Sequence, residues 1–439
     1  MFCANLHQTS DNYHAVGTVW RNLMFGIFIL SLHRMERIVN LCAIGIGNRA
    51  RKYLEYAESH PEKARVCAVV DTDPYRLAEA RCRYSLAENQ CFADEDDFIR
   101  SGIGADGVIV ATGDDTHYSI SRKILEAGFN LLLEKPMAEN IRQCRELVAL
   151  AERKNAVTAM CYVMRYHPYF SRIREIARSG EFGKITKINH RVNVGIDRMT
   201  HTFVRGLWSR KDESSPIFIS KCCHDVDFIF WLAGPEHLSD NLTISSKGSL
   251  TKYCPEAAPK NSAARCVKCP IESECRYSAV DLYLRRKEWI ENFEVTKGRT
   301  IEDAIGEELR SGRYGRCVYH CDNDVFDWQT ASIRTSGGLE IEITMDGIID
   351  KDGRETEIRF EKGTLVAKDN VITLKNTGGA VLREEDFRRT CALPLHAGAD
   401  IDIVEDFCNA VRTGSQTRCP LRDALPGLEA CFDVEAGLC

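Results

Sequence analysis

The sequence predicts an α/β protein: a doubly wound nucleotide-binding domain, then an α+β domain with an open, mostly antiparallel sheet. Three observations carry this. A glycine loop, Gly45-Ile46-Gly47-Asn48-Arg49-Ala50, ends an apolar run and precedes a helical stretch. A second apolar run ends in an acid, Ala68-Val69-Val70-Asp71. A later run, Asn130-Leu131-Leu132-Leu133-Glu134-Lys135-Pro136, delivers a lysine and a proline to the end of a strand. Each is weak alone; in this order they describe one βαβ-built crevice.

The elements follow from periodicity. Ile38 to Ile46, Ala64 to Asp71, Gly107 to Ala111, Asn130 to Glu134 and Ala156 to Tyr162 read as buried strands. Arg49 to Ser59, Pro74 to Tyr84, Ser119 to Ala127 and Asn140 to Lys154 read as the helices between them, the second opening on a proline. Strands alternating with helices imply a parallel sheet. Beyond about residue 165 the pattern changes. Lys184 to Val194, Phe326 to Arg334, Leu339 to Met345, Glu355 to Phe360 and Val371 to Leu374 alternate without long helices between them, which predicts antiparallel pairing. Two amphipathic helices, Asp400 to Arg412 and Leu421 to Ala436, close the chain.

The expected domains are therefore 35–162 for nucleotide binding and 163–439 for substrate binding and oligomerisation, with a cysteine-rich insertion over 250–280. Residues 1–34 stand apart. Leu23 to Leu32 is apolar, but ten residues do not span a bilayer, and His33-Arg34-Met35 follows where a cleavage site would lie. A translated leader ahead of a start at Met35 is favoured over a signal peptide. With 439 residues, 44% hydrophobic and 28% charged, the composition is that of an ordinary globular protein. A net charge of −6 and a pI near 6.1 leave no electrostatic footprint for nucleic acid. Twenty cysteines are scattered through apolar runs, as Cys42, Cys67 and Cys161 are. Such usage suits small buried hydrophobes in a reducing cytoplasm, and no membrane partner is expected.

The chemistry concentrates at strand ends. Gly45 and Gly47 let the backbone approach a pyrophosphate at a helix N-terminus, beside Asn48 and Arg49. Asp71, 24 residues after Gly47, is placed to hold ribose hydroxyls and favour NAD over NADP, with Arg49 weakening that preference. The plainer alternative is a tight turn and a surface acid. Thr112 and His117, in the loop after the Gly107 strand, are candidate cofactor contacts, or members of a polar loop. Glu134 ends its strand at the same edge. Pro136 keeps Lys135 out of helical geometry, and a desolvated lysine there can exchange a proton with an alcohol. Cys254, Cys266, Cys269 and Cys275 are spaced C-x11-C-x2-C-x5-C. That suits tetrahedral Zn²⁺ or, less well, an iron–sulfur cluster; free or disulfide-linked thiols are the alternative.

These motifs resemble the Gfo/Idh/MocA family of sugar and inositol oxidoreductases. The resemblance extends to Met164-Arg165-Tyr166-His167-Pro168, to Phe218-Ile219-Ser220-Lys221-Cys222-Cys223-His224-Asp225-Val226-Asp227 and to His396-Ala397-Gly398-Ala399-Asp400. It implies a Rossmann domain, a second domain whose open sheet covers the active site and often pairs subunits as a dimer or tetramer, and hydride transfer between NAD(P) and a carbon bearing a sugar hydroxyl. It implies Lys135 and His224 as catalytic residues. Many members carry aspartate four residues before that histidine; Ser220 stands there, and Lys221 sits one helix turn from His224, as in a Lys-x-x-His-Asp variant in which Lys221 joins the catalytic set and contacts substrate. Arg165, His201, Trp208 and Asp225 are candidate substrate contacts, with Arg210 beside them; Trp208 offers a flat apolar face to a sugar ring. Two other outcomes stay open. A glycosidase would use transient oxidation and elimination with no net NADH, and a non-catalytic sensor would bind dinucleotide and sugar to regulate a partner.

Overall fold

The computed structural model describes residues 37–235, 242–290, 293 and 300–438. The N-terminal segment 1–34 lies outside the described residues. The first sheet has six parallel strands, β1 (Val39–Ile44), β2 (Ala64–Val70), β3 (Cys91–Phe92), β4 (Gly107–Val110), β5 (Asn130–Leu133) and β6 (Thr158–Met160). Their spatial order is 3-2-1-4-5-6. Helices α1 (Asn48–Ser59), α2 (Pro74–Arg83), α3 (Glu95–Ser101), α4 (His117–Glu126) and α5 (Ile141–Lys154) connect them. Strand order reverses between β1 and β4, so the loops after these two strands flank a crevice. Leu41, Ala43, Val108, Ile109, Leu131 and Leu132 have no exposed surface, as a sheet covered on both faces requires. Two elements escaped the sequence reading: the two-residue β3 and the short α3, which is capped by Asp94 accepting from the Asp97 amide at 2.8 Å.

Helix α6 (Pro168–Arg178) leads into the second sheet. Its eight strands are β7 (Ile185–Asn193), β8 (Thr243–Ser249), β9 (Trp328–Arg334), β10 (Glu340–Asp346), β11 (Gly353–Phe360), β12 (Gly363–Lys368), β13 (Val371–Asn376) and β14 (Val381–Asp386). The order is 14-13-12-11-7-10-9-8. Every pairing is antiparallel except β7 with β10, which run parallel from Lys187↔Glu340 to Asn193↔Asp346. Helices α7 (Cys223–Ala233) and α10 (Leu421–Ala436) pack on this sheet, and α9 (Ala399–Thr413) packs on the first domain. α9 lies along α1, and α10 bridges α7 to α5.

β8 and β9 are adjacent and pair up to Ser249↔Trp328. The chain between them makes a long excursion containing the cysteine-rich insertion and helix α8 (Ile301–Arg310). The excursion has its own small core, with Cys266, Ala279, Leu282, Tyr283, Phe293, Ile305 and Leu309 buried together. Among the described residues, no helix is long and apolar enough to cross a membrane.

Candidate active site between the two domains

The glycine loop is shaped by close approach. Gly45 has φ +82°, and a Cβ there would lie 2.7 Å from Thr112 Cγ2 and 2.8 Å from the Ala111 carbonyl oxygen. A side chain would collide with the β4 loop and strain the backbone as well. Gly47 is the opposite case: a Cβ would meet nothing within 4 Å. The open space lies at the start of α1, whose first turn has no side-chain cap and no acid. Unsatisfied amides, positive helix end and clear approach fit a dinucleotide pyrophosphate.

Asp71 is buried, and its oxygens are already engaged. Oδ2 accepts from the Ile46 amide at 2.6 Å and Oδ1 from the Asp73 amide at 2.9 Å. The carboxylate thus fastens the glycine loop to the end of β2. Thr112 Oγ1 accepts from Thr116 Oγ1 at 2.8 Å. His117, expected in the crevice, is turned inward at 1% exposure, with Nδ1 donating to the Pro136 carbonyl at 2.7 Å. It braces the turn that carries Lys135 rather than facing the cofactor crevice.

Glu134 anchors a buried knot. Its Oε1 accepts from Arg49 Nε and from Tyr53 OH, both at 2.6 Å. Its Oε2 accepts from the Lys135 amide at 2.8 Å. Arg49 continues to Asp400 Oδ1 at 2.7 Å, tying α1 to α9. Arg49 is therefore occupied by two carboxylates. Burial alone would raise the Glu134 pKa, but Arg49 and Lys135 outweigh it and hold it down at about 2. Asp400 is likewise pulled down to about 2, against burial, by His396 and Arg49.

Carboxylates depressed in the fold stabilise it above their unfolded pKa of about 4, and that stability drains away as pH falls towards 2. Arg49→Met is expected to cost ~3 kcal/mol at neutral pH, the low end for breaking a buried pair, because Arg49 keeps 32% side-chain exposure. Denaturant titrations should show the gap between variant and parent shrinking below about pH 4, as both acids protonate.

Lys135 follows directly, and its bond to Pro136 is cis. Its Nζ donates to the Ser220 carbonyl at 2.8 Å, reaching from the first domain to the turn before α7. That turn comprises Ile217–Ser220, then Lys221 and Cys222, before α7 begins at Cys223. Lys135, Lys221 and His224 line one cleft of about 590 Å³. His224 is held neutral: burial, the Lys135 ammonium and the Arg354 guanidinium all push its pKa well below the ordinary value. Its Nδ1 is buried without a hydrogen-bond partner among the described residues. Trp208 also lines the cleft and spans the domains, its Nε1 donating to Asp114 Oδ2 at 3.1 Å.

Other expected contacts lie elsewhere. Arg165 is 4% exposed and forks onto Asp227 at 2.9 and 2.7 Å, so it is a buried brace between the turn after β6 and α7 rather than a substrate contact. His201 is stacked between Trp289 and Tyr314, with ring centroids 5.0 and 4.7 Å away, inside the insertion's aromatic core. Arg210 pairs with Asp212 at 2.6 Å. Asp225 is fully buried, taking His190 Nε2 at 2.9 Å and the Arg354 guanidinium. It positions Arg354 instead of meeting substrate.

In their place the cleft wall gains Asn193, Arg198, Phe170, Phe203, Asp352 and Arg354. No local motif marks these; β7 and β11 bring Asn193 and Gly353 into register although 160 positions separate them. His396, by contrast, sat in a segment already singled out, and it also lines the cleft.

The metal expectation is corrected. Among the described residues, no group of three or more His, Cys, Asp or Glu side chains is arranged to hold a metal ion. Cys254 points its thiol to the Thr251 carbonyl at 3.5 Å. Cys266 is buried, accepting from the Ala279 amide at 3.4 Å. Cys266, Cys269 and Cys275 border a small void with Cys317, so sequence proximity did not translate into the expected foursome.

A parallel sheet with a glycine loop at its switch point, closed by a second sheet over a lysine–histidine cleft, defines a two-domain nucleotide-binding protein. Residues 39–162 match the profile of the oxidoreductase family with an NAD-binding Rossmann fold. YteT of Bacillus subtilis (strain 168), named as an oxidoreductase, is 23% identical over 350 residues, covering 75% of this chain and 77% of its own. Inositol 2-dehydrogenase of Corynebacterium glutamicum (strain R) is 23% identical over 221 residues, 49% of this chain and 60% of that enzyme. The solved oxidoreductase from Agrobacterium radiobacter in complex with NAD+, L-tartaric acid and magnesium superposes with a TM-score of 0.63 at 12% identity, covering 91% of this chain and 96% of that one. Apo scyllo-inositol dehydrogenase from Lactobacillus casei gives 0.61 at 15% identity, over 92% and 97%. Residues 39–162 thus match the Gfo/Idh/MocA oxidoreductase family, and the chain as a whole shares its two-domain fold with these solved structures.

Proposed function

We propose that the protein transfers a hydride between NAD(P) and a hydroxyl-bearing carbon of a sugar, glycoside or cyclitol held in the interdomain cleft. The observation that carries this reading is the meeting of Lys135 and His224 in one cleft, with Lys135 Nζ fixed at 2.8 Å on the Ser220 carbonyl, four residues before the imidazole. The names of the inositol dehydrogenases among the relatives support the substrate class.

The bound cofactor supplies the two-electron acceptor. The remaining chemistry falls to this chain. The neutral His224 imidazole is in the state needed to take the hydroxyl proton as the C–H electron pair leaves and the C=O bond forms. Lys135 places a positive charge beside the oxygen on which negative charge grows. Ser220, through its carbonyl, keeps that ammonium in place. Trp208 and Phe203 supply apolar lining to the cleft.

The test is a panel of sugars, methyl glycosides and inositols with NAD and with NADP, read by NADH or NADPH absorbance. Steady appearance of reduced cofactor is expected with at least one member. Glycoside cleavage without net reduced cofactor would point to the elimination route, and binding without any turnover to a sensor.

A further inference from the structure

The charges on the cleft wall pair off with one exception. Arg49 is matched by Glu134 and Asp400. Arg198 is matched by Asp352 at 2.7 Å, and Asp352 also accepts from the Gly195 amide at 2.9 Å. Arg354 is matched by Asp225, whose carboxylate also serves His190. Lys135 is bonded to the Ser220 carbonyl and neighbours Glu134. Among the described residues, the Lys221 ammonium alone on this wall has neither a hydrogen bond nor an ion pair, and both nearby carboxylates, Asp352 and Asp225, are already spent on other partners. The cleft wall thus holds an uncompensated ammonium beside two guanidinium groups. Burial, then Arg354 and Arg198, depress the Lys221 pKa to about 8, which measures how unwelcome that charge is without a counter-ion.

Water can satisfy the donors of an ammonium but cannot neutralise it. A cofactor pyrophosphate is not the missing anion, because Gly45 and Gly47 do not line this cleft. We infer that the substrate carries a carboxylate, as in a hexuronic acid or its glycoside, and that Lys221 receives it while Lys135 and His224 address a hydroxyl of the same ring. One unmatched positive charge calls for a monoanion; a phosphate dianion would need two. This inference rests on the oxidoreductase reading for the word substrate, but the anion site stands on its own geometry.

Calorimetric titration of the full chain, saturated with NAD, tests it. The probes are glucuronate, galacturonate and their methyl glycosides, the matching neutral hexoses, and glucose 6-phosphate. At least one uronate should bind roughly tenfold or more tightly than its neutral counterpart and more tightly than the phosphate. Lys221→Gln should collapse that preference to about one, and Lys221→Arg should keep most of it. Thermal unfolding of both variants establishes that the fold is retained. Uronates that bind no better than neutral hexoses, a better-bound phosphate, or an equal loss for both sugar classes in Lys221→Gln would overturn the inference. An equal loss is what a proton-accepting role for Lys221 predicts. Reduced cofactor is followed in the same samples. Selective uronate binding with no NADH leaves the anion site standing and overturns the oxidoreductase reading; turnover of neutral sugars alone does the reverse.

Discussion

Lys135→Ala is expected to lower turnover by at least a hundredfold while NAD affinity stays within about twofold. A positioned acid, base or charge of this kind contributes roughly 10² to 10⁴ in rate. Gly45, Gly47 and the open first turn of α1 would hold the pyrophosphate, whereas the Lys135 ammonium is committed to the Ser220 carbonyl. The variant also removes a bond between the domains, since Nζ holds the Ser220 carbonyl at 2.8 Å. Lys135→Met keeps most of the side-chain bulk and should lose as much activity, which separates the charge from the packing. Full activity in either variant would remove Lys135 from the mechanism.

The second large effect concerns stability. Arg165 and Asp227 keep only 5% and 1% side-chain exposure and are joined by two hydrogen bonds. Asp227→Ala leaves a buried guanidinium without its carboxylate, although the carbonyls of Arg418 and Asp423 still accept from it at 3.3 and 3.1 Å. A loss of about 3–5 kcal/mol is expected, read as a lowered denaturant midpoint. Removing both charges in an Arg165→Met, Asp227→Leu double variant should restore much of the loss. Single and double variants of equal stability would show that the pair is not what holds this corner together.

The legible and illegible parts of the molecule differ for a physical reason. The first domain was readable because each parallel strand is buried on both faces and appears as an unbroken apolar run between turns. β3 failed that test at two residues, and α3 carries three acids in its first turn and buries only Phe98. In the second sheet, β8 (Thr-Ile-Ser-Ser-Lys-Gly-Ser) and the edge strand β14 have little buried surface, so no alternation announced them. The parallel β7–β10 pair was equally invisible, because strand direction is set by topology rather than by side-chain pattern. In the cleft, ordered motifs located Lys135, Lys221 and His224, while Trp208 was singled out by its side chain alone. Arg165, His201 and Asp225 were misplaced because neither a motif nor a single polar residue shows whether the side chain is buried against a partner. Arg354 was missed because strand pairing brings it to the wall, and Arg198 because it follows β7 in a short helical turn that no motif marks.

The excursion between β8 and β9 has a consequence for how this scaffold can change. The two strands it joins are neighbours in the sheet, and a two-residue hairpin would suffice to connect them. Closure entropy grows only logarithmically with loop length, at about 0.6 kcal/mol per doubling. Its core of Tyr283, Phe293, Leu309 and their companions gives it an interior of its own. Lengthening, trimming or exchanging this span should therefore leave the ladder register intact, so that relatives can diverge in this span while the reacting groups keep their place.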